Sequence, residues 1–390
     1  MKKKLSFKYY IVLSLFFATM LTSVFSFSIY FVFAFSVASL VLLPIKKWWN
    51  GTSLLLVLFS TFYCFNQYIN FGLSGGFRFM SVLIAPLAYY RFGQWVMQWL
   101  TEDRQRLNFL FISIFLCLLP MFLLTIQDIQ LVGIVNRTRH LVLDVGKDDT
   151  SLAATLYGLM ASTGIGFISI LFAKSLKLKS KLIYGIVAIM AILTVVHLVN
   201  RTGIVLIAII VIFSVSYTSR LNPAKLLSTL ILIVLLLLII TKSGIISSDI
   251  LDAYAAREAN NLTSSSELGG RSFLWADAIN NIVTHPFGWT RQLGYAHNLW
   301  LDLAAIGGWL AFLFFGIFTL NAIGSLIRIL KQQITPFRLV LLSVFISMFG
   351  NSMVEPVIEA SVLFFVLFVM IISMMHSLSI EGKYYSQGQS

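Results

Sequence analysis

Tyr9 to Leu43 reads YYIVLSLFFATMLTSVFSFSIYFVFAFSVASLVLL, a run without one charged residue. A helix needs about 20 apolar residues to cross a bilayer, so this run is too long for one crossing. It breaks best around Ser26, giving two helices. The preceding Met1-Lys2-Lys3-Lys4 has the look of a secretory signal, but it leads into more membrane rather than an exported domain. It is read as the flank of an uncleaved first span.

Outward from this pair the pattern recurs. Further spans fall near Thr52–Phe71, Arg78–Trp99, Asn108–Ile126, Ser151–Ala173, Leu182–Val199, Gly203–Tyr217 and Leu226–Thr241. The last three fall near Asn298–Leu320, Leu339–Met353 and Ala360–Ser377. Of the 390 residues 58% are hydrophobic and 11% charged, with a mean hydropathy of +0.90. Soluble domains carry about 25% charged residues. The expected fold class is therefore all-α: a polytopic transmembrane helix bundle of about 12 spans with a partly helical outer loop. Residues 1–242 hold spans one to nine with a first outer loop at 127–150. Residues 243–297 form a large outer loop, and 298–390 hold spans ten to twelve and a tail.

The net charge of +13 does not mark a nucleic-acid binder, because the lysines and arginines sit in short clusters between apolar runs. With the N-terminus inside, 19 basic and three acidic residues face the cytoplasm, against nine basic and 12 acidic residues outside. The positive-inside rule favours this orientation, and the even span number puts both termini in the cytoplasm. Cys64 and Cys117 lie within apolar runs, so neither a disulfide framework nor a metal site is indicated.

The second outer loop reads as structured. Ser248 can cap a helix through Asp249, Leu251, Tyr254 and Ala255. A second helix should start at Gly270–Ser272, carry Phe273, Leu274, Trp275, Ala278, Ile279 and Ile282, and stop before Pro286-Phe287-Gly288. Amphipathic helices at this level can lie along the outer membrane face.

Three groups at outer boundaries invite chemistry. Arg201 sits at the sharp turn between spans seven and eight, where positive-inside bias disfavours it; it either serves function or anchors two helix ends by snorkelling. Arg271 opens a helix after Gly269-Gly270. The macrodipole there costs a cation about 0.3–1 kcal/mol, but with an anion bound, the free N–H groups and the guanidinium fork act together. A pair with Glu267 or Asp277 is the alternative. His297, at the start of span ten, can take a proton from an attacking hydroxyl, or it is an interfacial side chain like Trp300. Asp302, five residues on, orients that ring only if the first turn is distorted. Arg137, Arg139 and His140 in the first outer loop can contact a sugar or phosphate, or simply be solvated. Arg78 resembles Arg201 with less context. Glu355 and Glu359 flank the last outer turn, and His197 and His376 read as packed or interfacial. There is no Cys/His cluster with ligand spacing and no phosphate loop of the Walker kind. Few charges lie within the spans, and no repeat is seen, against a coupled transporter or lipid-linked-sugar flippase.

The ordered set Asn200-Arg201-Thr202-Gly203, Gly270-Arg271 with Trp275, His285-Pro286-Phe287-Gly288, His297-Asn298 and Gly307-Gly308 resembles the O-antigen polymerase and O-antigen ligase superfamily. The likeness covers roughly residues 199–315 and is carried by the order of the motifs rather than by any one of them. It implies a multi-pass protein of the bacterial inner membrane that performs metal-independent, inverting glycosyl transfer at the periplasmic face, with no cofactor. The donor would be a saccharide on undecaprenyl pyrophosphate, and the acceptor either lipid-linked or lipid A–core sugar. The resemblance further implies membrane lipid around the spans and a chain-length regulator as protein partner. Arg201 and Arg271 would hold the pyrophosphate and His297 would serve as general base. Asn298 would help to position the acceptor, with Gly270, Trp275, Asp302, Arg78, Arg137 and Arg139 as further substrate contacts. The short outer loop, and Ala311 where ligases tend to show Gly, Thr or Tyr, favour a polymerase over a ligase.

Overall fold

The computed structural model describes residues 6–44, 50–72, 76–136, 150–219, 252–255, 271–290 and 295–387. These residues are helical, with no strand among them. The helices are α1 (Phe7–Leu21), α2 (Ser28–Leu42), α3 (Gly51–Phe71), α4 (Gly76–Trp99), α5 (Asp103–Val132) and α6 (Thr150–Ile165), which tightens into a 3₁₀ stretch at Gly166–Phe172. They continue as α7 (Leu178–His197), α8 (Arg201–Thr218), α9 (Arg271–Thr284), α10 (Leu299–Leu330), α11 (Pro336–Ser352), α12 (Val357–Ala360) and α13 (Val362–Gln387). Among the described residues, seven helices are long and apolar enough to cross a membrane, and α1, α2 and α11 are shorter apolar helices. The molecule is thus an all-α polytopic bundle. The expected span Leu226–Thr241 lies outside the described residues, as does the Ser248 helix except for a helical turn at 252–255.

The first apolar run does break as expected, between Leu21 and Ser28. Other helices overrun their expected ends. α5 continues to Val132, so Asp128 is a helical residue. α10 continues past Leu320 to Leu330 and α13 past Ser377 to Gln387. Hydropathy marks where a helix leaves hydrocarbon, while the backbone hydrogen-bond ladder ends only where a cap or breaker stops it.

Two compact units divide the chain, and they interleave in sequence: Met1–Arg106, Phe273–Gln332 and Ser352–Ser390 form the first, Leu107–Ser272 and Gln333–Asn351 the second. In the first unit α10 packs along α3, and α13 along α4. Phe16, Phe35, Tyr89 and Phe92 interlock at ring separations of 4.6 to 6.4 Å. Phe59, Phe315 and Phe365 form a second cluster. At Gly93 a side-chain carbon would lie 2.8 Å from the Met370 carbonyl oxygen, so α4 and α13 meet backbone to backbone, as small residues allow between membrane helices. In the second unit α6 is the most enclosed span, 89% buried over Ala154–Phe172. Its Gly166 leaves no room for a side chain, since a Cβ would lie 2.5 Å from Val344 Cα.

α10 is broken at Gly308, which has φ 68° and ψ −171°. The helical bond from the Trp309 N–H to the Ala305 carbonyl is replaced by two others. The Trp289 N–H donates to Ala305 O at 2.8 Å, and the Trp309 N–H donates to Pro286 O at 2.8 Å. Asn66 and Asn70 of α3 donate to the carbonyls of Gly307 and Phe287 at 2.6 and 3.0 Å. The His285-Pro286-Phe287-Gly288 turn therefore plugs the Gly307-Gly308 break and satisfies the backbone groups that it frees.

Candidate functional site

In the first unit the site is built at the start of α10. Asn298 caps the helix: its Oδ1 accepts the N–H groups of Trp300 and Leu301 at 3.1 and 3.2 Å. Its Nδ2 donates to the Met353 carbonyl at 3.1 Å. Asp302, 2% exposed, turns its carboxylate back and accepts the N–H groups of Ala296 at 2.9 Å and Asn298 at 3.2 Å. The Trp275 indole donates to the Ala296 carbonyl at 2.8 Å. The residues on both sides of His297 are thereby fixed, and His297 itself is forced to φ 53°. A left-handed backbone at a non-glycine residue costs about 1–3 kcal/mol and persists only when its surroundings over-determine it. Here they do.

The His297 ring is 34% exposed, and its Nδ1 lies 3.7 Å from a carboxylate oxygen of Glu355. Nδ1 is the buried ring nitrogen and has no hydrogen bond among the described residues. At 3.7 Å the carboxylate faces the ring by charge rather than by a hydrogen bond. Arg78, on α4, donates to the Ile358 carbonyl at 2.6 Å, which ties the start of α4 to the segment after Glu355.

Several expected substrate contacts thus have structural partners. Both polar atoms of the Asn298 side chain, the Asp302 carboxylate and the Trp275 indole are engaged within the protein, and Asp302 acts on the turn rather than as a free carboxylate. Glu355, treated from sequence as one of two acids near an outer turn, is the carboxylate beside the imidazole. No spacing could reveal this, because α10 and α11 separate the two residues along the chain.

Trp275 belongs to the buried face of α9. With Ala278 and Ile282 it packs against Trp289, Ala296, Leu301, Ala304 and Ala305. Arg271 is the first residue of that helix, as expected. Gly270, Arg137 and Arg139 lie outside the described residues.

In the second unit Arg201 is the first residue of α8, and Asn200 is its cap, accepting the Gly203 N–H at 2.9 Å. Arg201 therefore stands at a helix N-terminus just as Arg271 does. The preceding Val199 has φ 51°. Val199 and His297 are the non-glycine residues with positive φ among the described residues, and each directly precedes a capping asparagine. Beside this turn His197 is fully buried. Its Nε2 lies 2.7 Å from Asp128 Oδ2, and its Nδ1 lies 2.9 Å from the Ile134 carbonyl. Asn136 donates its Nδ2–H to the same Asp128 oxygen at 2.6 Å and its N–H to the His197 carbonyl at 2.8 Å. Both ring nitrogens are therefore engaged, one by the carboxylate and one by a backbone carbonyl. His197 is packed, as expected, but its charged partner is invisible to a hydropathy scan that reads Asp128 as loop.

Among the described residues, no three His, Cys, Asp or Glu side chains gather as a metal site would require. No protein-family model and no curated protein matches the chain.

Proposed function

We propose that the protein is a membrane glycosyltransferase of the O-antigen polymerase type, acting without a metal on a saccharide carried by undecaprenyl pyrophosphate. Support comes chiefly from His297. A titratable ring is held in a strained turn by Asp302 and Trp275, with the Glu355 carboxylate behind Nδ1. Such an arrangement suits a general base: the ring takes the proton of the acceptor hydroxyl as that oxygen attacks the anomeric carbon. The carbon–oxygen bond to the pyrophosphate breaks on the opposite face, giving inversion. Glu355 stabilises the imidazolium during the step.

Arg201 and Arg271 take the second role. Each is the first residue of a helix, where the positive end of the macrodipole adds to a guanidinium in favour of an anion. Charge developing on the leaving pyrophosphate is what such groups stabilise. Energy stored in the lipid–pyrophosphate linkage makes a nucleotide unnecessary. The expected orientation, with the His297 end outside the inner membrane, places the reaction on the periplasmic side.

The test is complementation of a deletion strain. His297→Ala and Arg271→Ala should each abolish long-chain polysaccharide at unchanged protein level, leaving lipid A–core with a single repeat unit. Accumulation of full-length polymer on the undecaprenyl carrier would instead identify a ligase. Normal chain lengths from either variant would refute the proposed roles.

A further inference from the structure

At the other end of α10 from His297, the first unit contains a cavity of about 400 Å³ between α3, α10 and α13. Thr52, Asn321, Arg328 and His376 supply its polar lining, and Leu320, Gly324 and Ile380 its apolar lining. A span that ends in hydrocarbon and headgroup has no need of converging polar side chains, and ionisable residues in such places mark binding sites.

The charge in this cavity is unbalanced. Arg328 donates from Nη2 to Ser325 Oγ at 2.9 Å, a neutral partner. No carboxylate lines the cavity. The acid closest in sequence to Ile380 is Glu381, and both its oxygens are taken by Arg106, whose Nη1 and Nη2 donate at 2.9 and 2.8 Å. Asp103 also turns to Arg106, at 3.6 Å. Glu381 and Asp103 thus pair with Arg106, and among the described residues no acid pairs with Arg328. The guanidinium fork, the Asn321 amide and the His376 ring offer N–H donors in a donor-rich cavity. That is the chemistry of a phosphate site. Leu320 and Ile380 are 65% and 40% exposed, so the apolar lining continues onto a surface that acyl chains can cover.

We propose that this cavity binds the headgroup of an anionic membrane phospholipid, its phosphate on Arg328 and its acyl chains along Leu320 and Ile380. Basic pockets between membrane helices bind anionic headgroups in this way. The site is separate from the His297 chemistry and does not depend on it.

The probe is phosphatidylglycerol, titrated into the purified, delipidated full chain in neutral detergent and counted by native mass spectrometry. Wild type should retain at least one phosphatidylglycerol. Arg328→Gln should weaken that binding tenfold or more, and Arg328→Lys, which keeps the charge and loses the fork, should weaken it less. Asn321→Leu probes the same cavity without touching the arginine and should also weaken binding, whereas Lys331→Gln, outside the lining, should leave it unchanged. Equal losses in Arg328→Gln and Lys331→Gln would overturn the proposal in favour of diffuse surface charge. Phosphatidylcholine binding as tightly as phosphatidylglycerol would overturn it too. So would displacement of phosphatidylglycerol by equimolar inorganic phosphate, which would make the ligand a free anion.

Discussion

Two asparagines, one in each unit, have the same local task. Asn200 and Asn298 each cap a helix, and each follows a residue with left-handed backbone, Val199 at φ 51° and His297 at φ 53°. A β-branched valine in that region is an outlier, so the turn before Arg201 is held under load as the His297 turn is. The buried His197–Asp128 pair lies beside the former and is a second place where one residue carries much of the local stability. Removing one partner of a buried hydrogen-bonded pair leaves the other unsatisfied, at about 1–3 kcal/mol. Asp128→Ala should therefore lower the unfolding temperature of the detergent-solubilised protein sharply, whereas Asn136→Ala loses its side-chain bond to Asp128 but keeps its backbone bond to His197 and should cost less. Unfolding of Asp128→Ala at the wild-type temperature would show that the pair carries no stability. At this scale the sequence was only partly legible. Arg271 at a helix start and His297 at a span boundary could be read from local pattern, because caps and breakers act over a few residues. The neighbours of His297 and His197 come from distant helices, and single-chain periodicity has no access to them.

Among the elements, α10 is the most informative, because its break joins two motifs that the sequence shows only as separate words. At Gly308 a Cβ would lie 2.4 Å from the Pro286 carbonyl oxygen, in addition to the strain of φ 68°. Gly316, two turns further along the same helix, has nothing within 4 Å of its Cβ position. Gly308→Ala should thus destabilise the protein by more than about 1 kcal/mol, beyond the ordinary cost of a mismatched glycine site. Gly316→Ala should be neutral or stabilising by up to about 1 kcal/mol, since alanine is the better helix former. Thermal unfolding of the two variants side by side checks both, and equal effects would mean that the docked turn contributes nothing. Helix positions themselves were readable from apolar runs, including the start of α9 after Gly269-Gly270 and its end before Pro286. The kink was not, because Gly307-Gly308 in an apolar run looks like any pair of small residues until the turn that fills it is seen.

For the whole molecule, composition alone specified an all-α membrane bundle, and it did so because solvent choice is the largest energetic fact about such a chain. The interleaving of two units was not accessible in the same way: α10 and α13 return to pack with α3 and α4 across a long intervening sequence, and hydropathy carries no information about partners. Charge distribution predicts the orientation by the positive-inside rule. Glycosyl transfer from undecaprenyl pyrophosphate on the periplasmic face requires the start of α10 to be outside and its Arg328 end inside. The native Cys64 and Cys117 are 2% and 0% exposed, so an introduced cysteine can be labelled against a low background. Phe287, 70% exposed, lies at the His297 end, and Lys331 lies at the other end of α10. A membrane-impermeant maleimide added to intact cells should modify Phe287→Cys and leave Lys331→Cys untouched until the membrane is opened. The reverse pattern would place His297 in the cytosol, away from the donor, and would contradict the proposed reaction outright.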